Sequence, residues 1–389
     1  MSKVENRTDK EVKNDKLGGS IDIRTFTMVG GLILLWIFFT YMTDGTFLSI
    51  RNISNLTRQM AIVGVLGSGM VLVIVTGNID LSIGSLLGFL SGIAAVLMVW
   101  NGWGTAMTIT AVVLIGITVG MLQGIIVAYL SVPAFIVTLG GLLIFRGGLL
   151  GVTKSMSIAP FDESYKYIGQ AYVSPLVGVI LAIAAIVLIM LLAFNKRRSR
   201  LKYNYAVESI PKMMGKVALK ATLVLGSVIL LNQYRGIPVP VFVMILVMII
   251  LTFIAEKTTF GRSIYAIGGN IEATKYSGIK VRKNLVIVFM INGLMAALAG
   301  IILSARLNAG TPTAGLNMEL DAIAAAVIGG TSMSGGAGKV AGAALGALFM
   351  ATIDNGMSLM NMDAYWQYVV KGIILVTAVW FDIYTKKKK

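Results

Sequence analysis

The chain has 389 residues, of which 57% are hydrophobic and 13% charged, about half the charged share of an ordinary soluble domain. It contains no cysteine and no histidine, which excludes disulfides, thiolate nucleophiles, Cys/His metal centres and the commonest general base. The net charge of +16 is gathered into a few blocks between apolar runs, a pattern of membrane topology rather than of nucleic-acid binding.

Of the 33 Lys and Arg residues, 24 fall in residues 1–25, 195–220, 256–284 and 386–389. The positive-inside rule puts all four blocks, and so both termini, in the cytoplasm. The number of crossings is then even. Residues 1–25 form a polar tail of mixed charge that lacks the pattern of a cleaved signal. Residues 26–385 form the transmembrane domain.

Phe26–Thr43 is the first apolar run, long enough to cross about 30 Å of hydrocarbon. Residues 44–58 read as an outside loop, and a second span runs from about Met60 to Thr76. Gly77–Ser82 is a polar knot holding Asn78 and Asp80. A third span reaches Trp100 and a fourth Leu130. Pro133 marks a break, and a fifth span ends near Gly151. Thr153–Ser174 reads as an outside loop, followed by a sixth span over Pro175–Phe194. The basic cytoplasmic loop 195–218 comes next, then two shorter spans over 219–232 and 239–255, joined by a turn at Pro238 and Pro240.

Glu256–Asn284 is a second cytoplasmic loop, and its centre reads as a very short helix. Asn270 caps the start, Glu272 and Lys275 match the helix dipole, and Gly278 supplies a left-handed stop. About two turns are too few to be stable alone in water, so the helix has to rest on something. The spacing Glu272-Ala273-Thr274 to Gly278 resembles the E-A-A-x-x-x-G loop through which ABC permeases dock on their ATP-hydrolysing subunit. A ninth span covers Leu285–Ala305 and residues 306–318 lie outside. Residues 319–357 read as a half-span, a glycine hairpin at 329–338 and a returning span. The last span is Trp366–Ile383, stopped by Lys386–Lys389. The fold class is an all-α polytopic membrane helix bundle with ten to twelve crossings and broken or re-entrant segments.

Glycines at 84/88/92, 116/120/124 and 338/342/346 each give a smooth stripe on one helix face, which lets neighbouring backbones approach. Ionisable groups in apolar stretches are Asp80, Arg146, Glu319, Asp321, Asp354 and Lys371. A polar break at membrane depth is tolerated only where it is buried in protein or lines a water-filled space. Asn78-x-Asp80 and Glu319-x-Asp321 therefore either brace helix starts or line a common path, one broken segment per half, as in an inverted repeat. Gly335–Val340 imitates a phosphate loop but lacks its first glycine and its Ser or Thr, so ATP is not expected to bind there. No zinc signature or nucleophile elbow occurs, and no cofactor is expected.

Four motifs occur in order: Gly77-Asn78-Ile79-Asp80-Leu81-Ser82-Ile83-Gly84, Pro133–Gly140, Phe260-Gly261-Arg262 through Gly278-Ile279, and Ile328-Gly329-Gly330-Thr331-Ser332 with Gly335-Gly336. Together they resemble the ribose/xylose branch of the ABC sugar permeases, over nearly the whole chain after residue 25. Asn232–Pro238 and Trp366–Gly372 resemble its D-xylose members. The resemblance implies a non-enzymatic monosaccharide permease of the cell membrane. It implies a second copy of the chain, ATP-binding subunits docked at Asn270, Glu272, Ala273 and Gly278, and an extracytoplasmic sugar-binding protein. A neutral sugar calls for hydrogen-bonding groups, and Asn78, Asn292, Ser332 and Asn355 join Asp80, Glu319 and Asp321 as candidate path residues. The alternative is an ion-coupled transporter that uses Asp80 and Asp321 as carriers.

Overall fold

The computed structural model describes residues 23–205 and 207–387. The polar tail 1–25, apart from its last three residues, lies outside them, as do Lys388 and Lys389. The described chain is fifteen helices, α1 to α15, and one two-stranded ribbon.

Helix α1 (Ile23–Met42) is followed by a 3₁₀ turn and α2 (Ile50–Val75). Helix α3 (Ile83–Ala95) closes in a π-helical stretch over Val96–Trp100, and α4 (Thr105–Tyr129) and α5 (Ala134–Thr153) follow. A short α6 (Glu163–Gln170) and strand β1 (Tyr172–Val173) precede α7 (Pro175–Lys202) and α8 (Ile210–Asn232). Strand β2 (Ile237–Pro238) leads into α9 (Val239–Lys257), α10 (Thr259–Gly269) and α11 (Ile271–Tyr276). Helices α12 (Val281–Leu307), α13 (Met318–Ile328), α14 (Val340–Leu359) and α15 (Ala364–Lys387) complete the chain.

Ten helices among the described residues are long and apolar enough to cross a membrane, and α1 adds a shorter apolar helix over Met28–Met42. Helix α13, with 11 residues, reaches only about 16 Å. That is shorter than a full crossing. The ribbon pairs Tyr172 with Pro238 and Val173 with Ile237. With the bridge between Ile158 and Gly310 it marks one face of the bundle. The end of α2, α10, α11 and the glycine hairpin 329–339 meet at the opposite face.

The core is α2, packed on α12, α13 and α14. Along α2, 83% of the apolar window is buried, against 11% along α7, so α2 is a central post and α7 a peripheral helix. Each of the three glycine stripes includes close contacts with backbone. A Cβ on Gly120 of α4 would sit 2.2 Å from the Phe289 carbonyl oxygen of α12. One on Gly88 would sit 2.2 Å from the Ala314 oxygen, and one on Gly346 2.0 Å from the Ala325 oxygen. Any larger residue would push these segments apart.

Four loop readings need correction, the first being Glu256–Asn284, which holds α10 (Thr259–Gly269) besides the very short helix expected at its centre. Residues 44–58 are not all loop: α2 starts at Ile50, and the polar side chains of Asn52 and Arg58 find partners on other elements. Asn52 pairs with Asn355, and an Arg58 Nη donates to the Gln170 carbonyl at 2.7 Å. Thr153–Ser174 contains α6, which packs on α12. Its fully buried Tyr165 hydroxyl lies 2.8 Å from Ser304 Oγ. Ser304 itself donates to Gly300 O, so the tyrosine is the donor, and burial pushes its phenol up so that it stays protonated. Residues 195–218 are mostly helical, because α7 runs on to Lys202 and α8 begins at Ile210.

Candidate functional site

Helix α2 stops at Val75, and the chain crosses a non-helical stretch before α3. Asp80 lies in that stretch and is 2% exposed. Its Oδ1 accepts from the Ser82 amide at 2.8 Å and from Ser82 Oγ at 2.7 Å. Its Oδ2 accepts from Asn292 Nδ2 at 2.7 Å. Ser82 Oγ in turn accepts from Gln123 Nε2 at 2.8 Å. A carboxylate can be buried here because every hydrogen bond of this set satisfies a group that water would otherwise hold. The network ties the start of α3 to α4 and α12. Asp80 and Asn292 are thus brought together. Gln123 is not among the candidates read from the sequence, although it is the one amide side chain within apolar α4. Asn78 stands apart, half-buried, with its amide on Thr76 Oγ1 at 2.9 Å.

The other candidates fall into separate groups. Glu319 and Asp321 share the first turn of α13, two residues apart, so they point in different directions. Glu319 faces α3, where a Cβ on Gly84 would lie 2.1 Å from its Oε2. Asp321 faces Lys371 of α15, whose ammonium lies 2.9 Å from Asp321 and 2.9 Å from Asp354 of α14. Asn355 and Asn52 exchange two amide hydrogen bonds, at 2.7 and 3.0 Å. Ser332 begins the glycine hairpin, with its amide on Ala337 O at 2.8 Å.

Helix α11 has the caps its sequence encodes. Asn270 Oδ1 accepts from the Ala273 amide at 3.0 Å, and Glu272 pairs with Lys275 at 2.8 Å. Gly278 takes φ of 77°. Its amide bonds to Lys275 O at 3.0 Å, and the Ile279 amide bonds to Thr274 O at 3.4 Å. These two bonds make a Schellman stop that needs a left-handed residue at Gly278. Only Thr274 is buried in α11, and Tyr276 is 90% exposed.

The residue before Asn270 that matters most is Gly268, near the end of α10. A Cβ on it would lie 1.7 Å from Val75 O and 2.5 Å from the Gly336 amide nitrogen. The Gly336 amide donates to that same Val75 oxygen at 2.9 Å, and the Tyr265 hydroxyl donates to Gly338 O at 2.8 Å. Burial pushes the Tyr265 phenol up and keeps it a donor. The end of α2, the glycine hairpin and α10 therefore meet backbone to backbone. Beside this junction lies a cavity of about 430 Å³ lined by Asn78, Pro133 and Asn270 among others. It brings the polar knot and the cap of α11 to one space.

Residues 52–379 match the family described as "Branched-chain amino acid transport system / permease component". The xylose transport system permease protein XylH of Haemophilus influenzae is 49% identical over 369 residues, which is 95% of this chain and 98% of that one. Its Escherichia coli counterpart is 47% identical over 95% of this chain and 94% of its own length. The ribose import permease protein RbsC of Bacillus subtilis is 36% identical over 90% of each chain. No solved structure matches the chain.

Proposed function

This chain belongs to the branched-chain amino acid transport system permease family, and from that premise we propose that it carries D-xylose, or a closely related sugar, across the cell membrane. It is the membrane-spanning, non-enzymatic subunit of an ABC importer, and it works with ATP-binding and substrate-binding partners. The observation that carries the sugar assignment is the 49% identity, over almost the whole of both chains, to a protein named for xylose transport. The family description names amino acids, but the relatives at this identity are named for pentoses.

Two copies of the chain assemble the channel, each with both termini in the cytoplasm. Each offers α11 to one ATP-binding subunit through Asn270, Glu272, Ala273 and Gly278. When the ATP-binding subunits close, α11 moves with α10. Gly268, wedged between Val75 and Gly336, passes the shift to the end of α2 and to the glycine hairpin together. Because both broken segments are tied to one junction, they change in concert and the path opens to alternate sides. Asn78, Asp80, Asn292, Glu319, Asp321, Ser332 and Asn355 are the polar groups available to that path. Asn78 lines the cavity of about 430 Å³. Asp321 is ion-paired with Lys371, which weighs against its serving as a proton or sodium carrier. The lipid-facing helices are those with little buried surface, α5, α7, α8 and α15.

The test is reconstitution of the chain with its ATP-binding and substrate-binding partners in vesicles. ATP-dependent uptake of xylose should exceed that of ribose and of hexoses. Uptake driven by an ion gradient without ATP would overturn the assignment.

A further inference from the structure

Helices α7 and α8 form an antiparallel hairpin at the edge of the bundle and pack chiefly on each other. Asn232 Nδ2 donates to Pro175 O at 3.2 Å, so α8 ends level with the start of α7. Twenty residues of α7, Pro175–Phe194, are uncharged and span about 30 Å. Lys196, Arg197 and Arg200 therefore stand at headgroup level. On α8, Lys220 lies only about 18 Å from that shared end, at a depth where α7 is still apolar. A cation there has to reach towards the interface.

Between the two helices at this level is a cavity of about 350 Å³. Its floor is apolar, with Leu192, Ala193 and the buried Val217. Its rim holds Lys196, Arg197, Arg200, Lys216 and Lys220, against the single carboxylate of Glu208. That carboxylate is already used: Lys216 donates to it at 2.5 Å and holds it below the usual carboxylate range. Arg197 donates to the Glu208 carbonyl. Among the described residues Lys196, Arg200 and Lys220 form no ion pair. A greasy floor under several unneutralised cations, open to the headgroup layer, matches an acidic phospholipid, with the phosphate on the cations and an acyl chain along the floor.

We propose that the end of the α7–α8 hairpin is a binding site for an acidic phospholipid. The apolar floor distinguishes this occupant from a soluble anion, and the depth of Lys220 distinguishes it from an acidic face of a partner protein, which would have to enter the membrane to reach it.

The test is native mass spectrometry of the assembled importer, purified in mild detergent and offered phosphatidylglycerol or phosphatidylethanolamine. Phosphatidylglycerol should be retained in preference. The triple variant Lys196→Gln, Arg200→Gln, Lys220→Gln should bind it about a hundredfold more weakly. The charge-keeping triple Lys196→Arg, Arg200→Lys, Lys220→Arg should keep it, which separates a lost site from a lost fold. Equal retention of the two lipids, or unchanged retention by the Gln triple, would overturn the proposal. So would displacement of the lipid by inorganic phosphate. If the Gln triple lost the ATP-binding subunits while keeping the lipid, the patch would be a protein interface and the proposal would fail. The proposal stands apart from the sugar assignment, because lipid retention is read without transport.

Discussion

Gly268 approaches the carbonyl oxygen of Val75 so closely that a Cβ on it would stand 1.7 Å away. No side chain fits, and the obstructing atoms are backbone. Overpacking of this kind typically costs about 1–3 kcal/mol where a core cannot yield. The neighbour Gly269 would meet nothing within 4 Å, so the two glycines make a matched pair. Gly268→Ala should lower sugar uptake at least about tenfold, while Gly269→Ala leaves it near normal. Immunoblotting of membranes checks that both proteins are present. Equal uptake by the two variants would remove Gly268 from the coupling route.

The stop of α11 depends on Gly278 at φ of 77°. A β-branched residue is strained there whatever space surrounds it. Gly278→Val and Asn270→Ala should weaken α11, the second by about 1 kcal/mol. In reconstituted importer, sugar-stimulated ATP hydrolysis should fall for both. Sugar binding by the separate substrate-binding protein should not change. Full stimulation of hydrolysis in Gly278→Val would show that α11 is not where the ATP-binding subunit docks.

Asp80 accepts three hydrogen bonds, from Ser82 twice and from Asn292 once. Asp80→Ala leaves buried donors unpaired, at about 1–3 kcal/mol each. Asp80→Asn is milder. Asn292 Oδ1 has no hydrogen-bond partner, so a flip of the Asn292 amide offers it to the new NH₂ group. Thermal unfolding of the detergent-solubilised protein should rank wild type above Asp80→Asn and Asp80→Asn above Asp80→Ala. Inversion of the two variants would contradict the network.

Lys371 is ion-paired with both Asp321 and Asp354, at 2.9 Å each. Its own side chain is 12% exposed and that of Asp321 3%. Removing one partner of a buried ion pair costs about 3–5 kcal/mol, whereas replacing the whole set by neutral groups is often harmless. Lys371→Met should therefore be strongly destabilised, and adding Asp321→Asn and Asp354→Asn should recover most of the loss. The check is the melting temperature of the three proteins. If Lys371→Met melted like wild type, the triad would carry no structural load.

The amino-acid sequence determined what depends on neighbours in the chain. Apolar run length set the helices, and Asn270, Glu272, Lys275 and Gly278 spelled out α11 cap by cap, because capping and left-handed turns involve residues only two to five positions apart. The glycine stripes announced close packing for the same reason, through helical spacing. Polar residues near a helix end misled. Asn52 and Arg58 looked like loop until Asn355 and Gln170 supplied their partners, and the aromatic stretch holding α6 hid a helix whose Tyr165 is buried against Ser304. Tertiary structure alone decided that Asp80 meets Asn292, 212 positions away, that Lys371 serves two carboxylates, and that Gly268 sits against Val75. Such pairings are chosen by which helix faces pack together, and a polar group in an apolar stretch records only that it needs a partner, not where in the chain that partner lies.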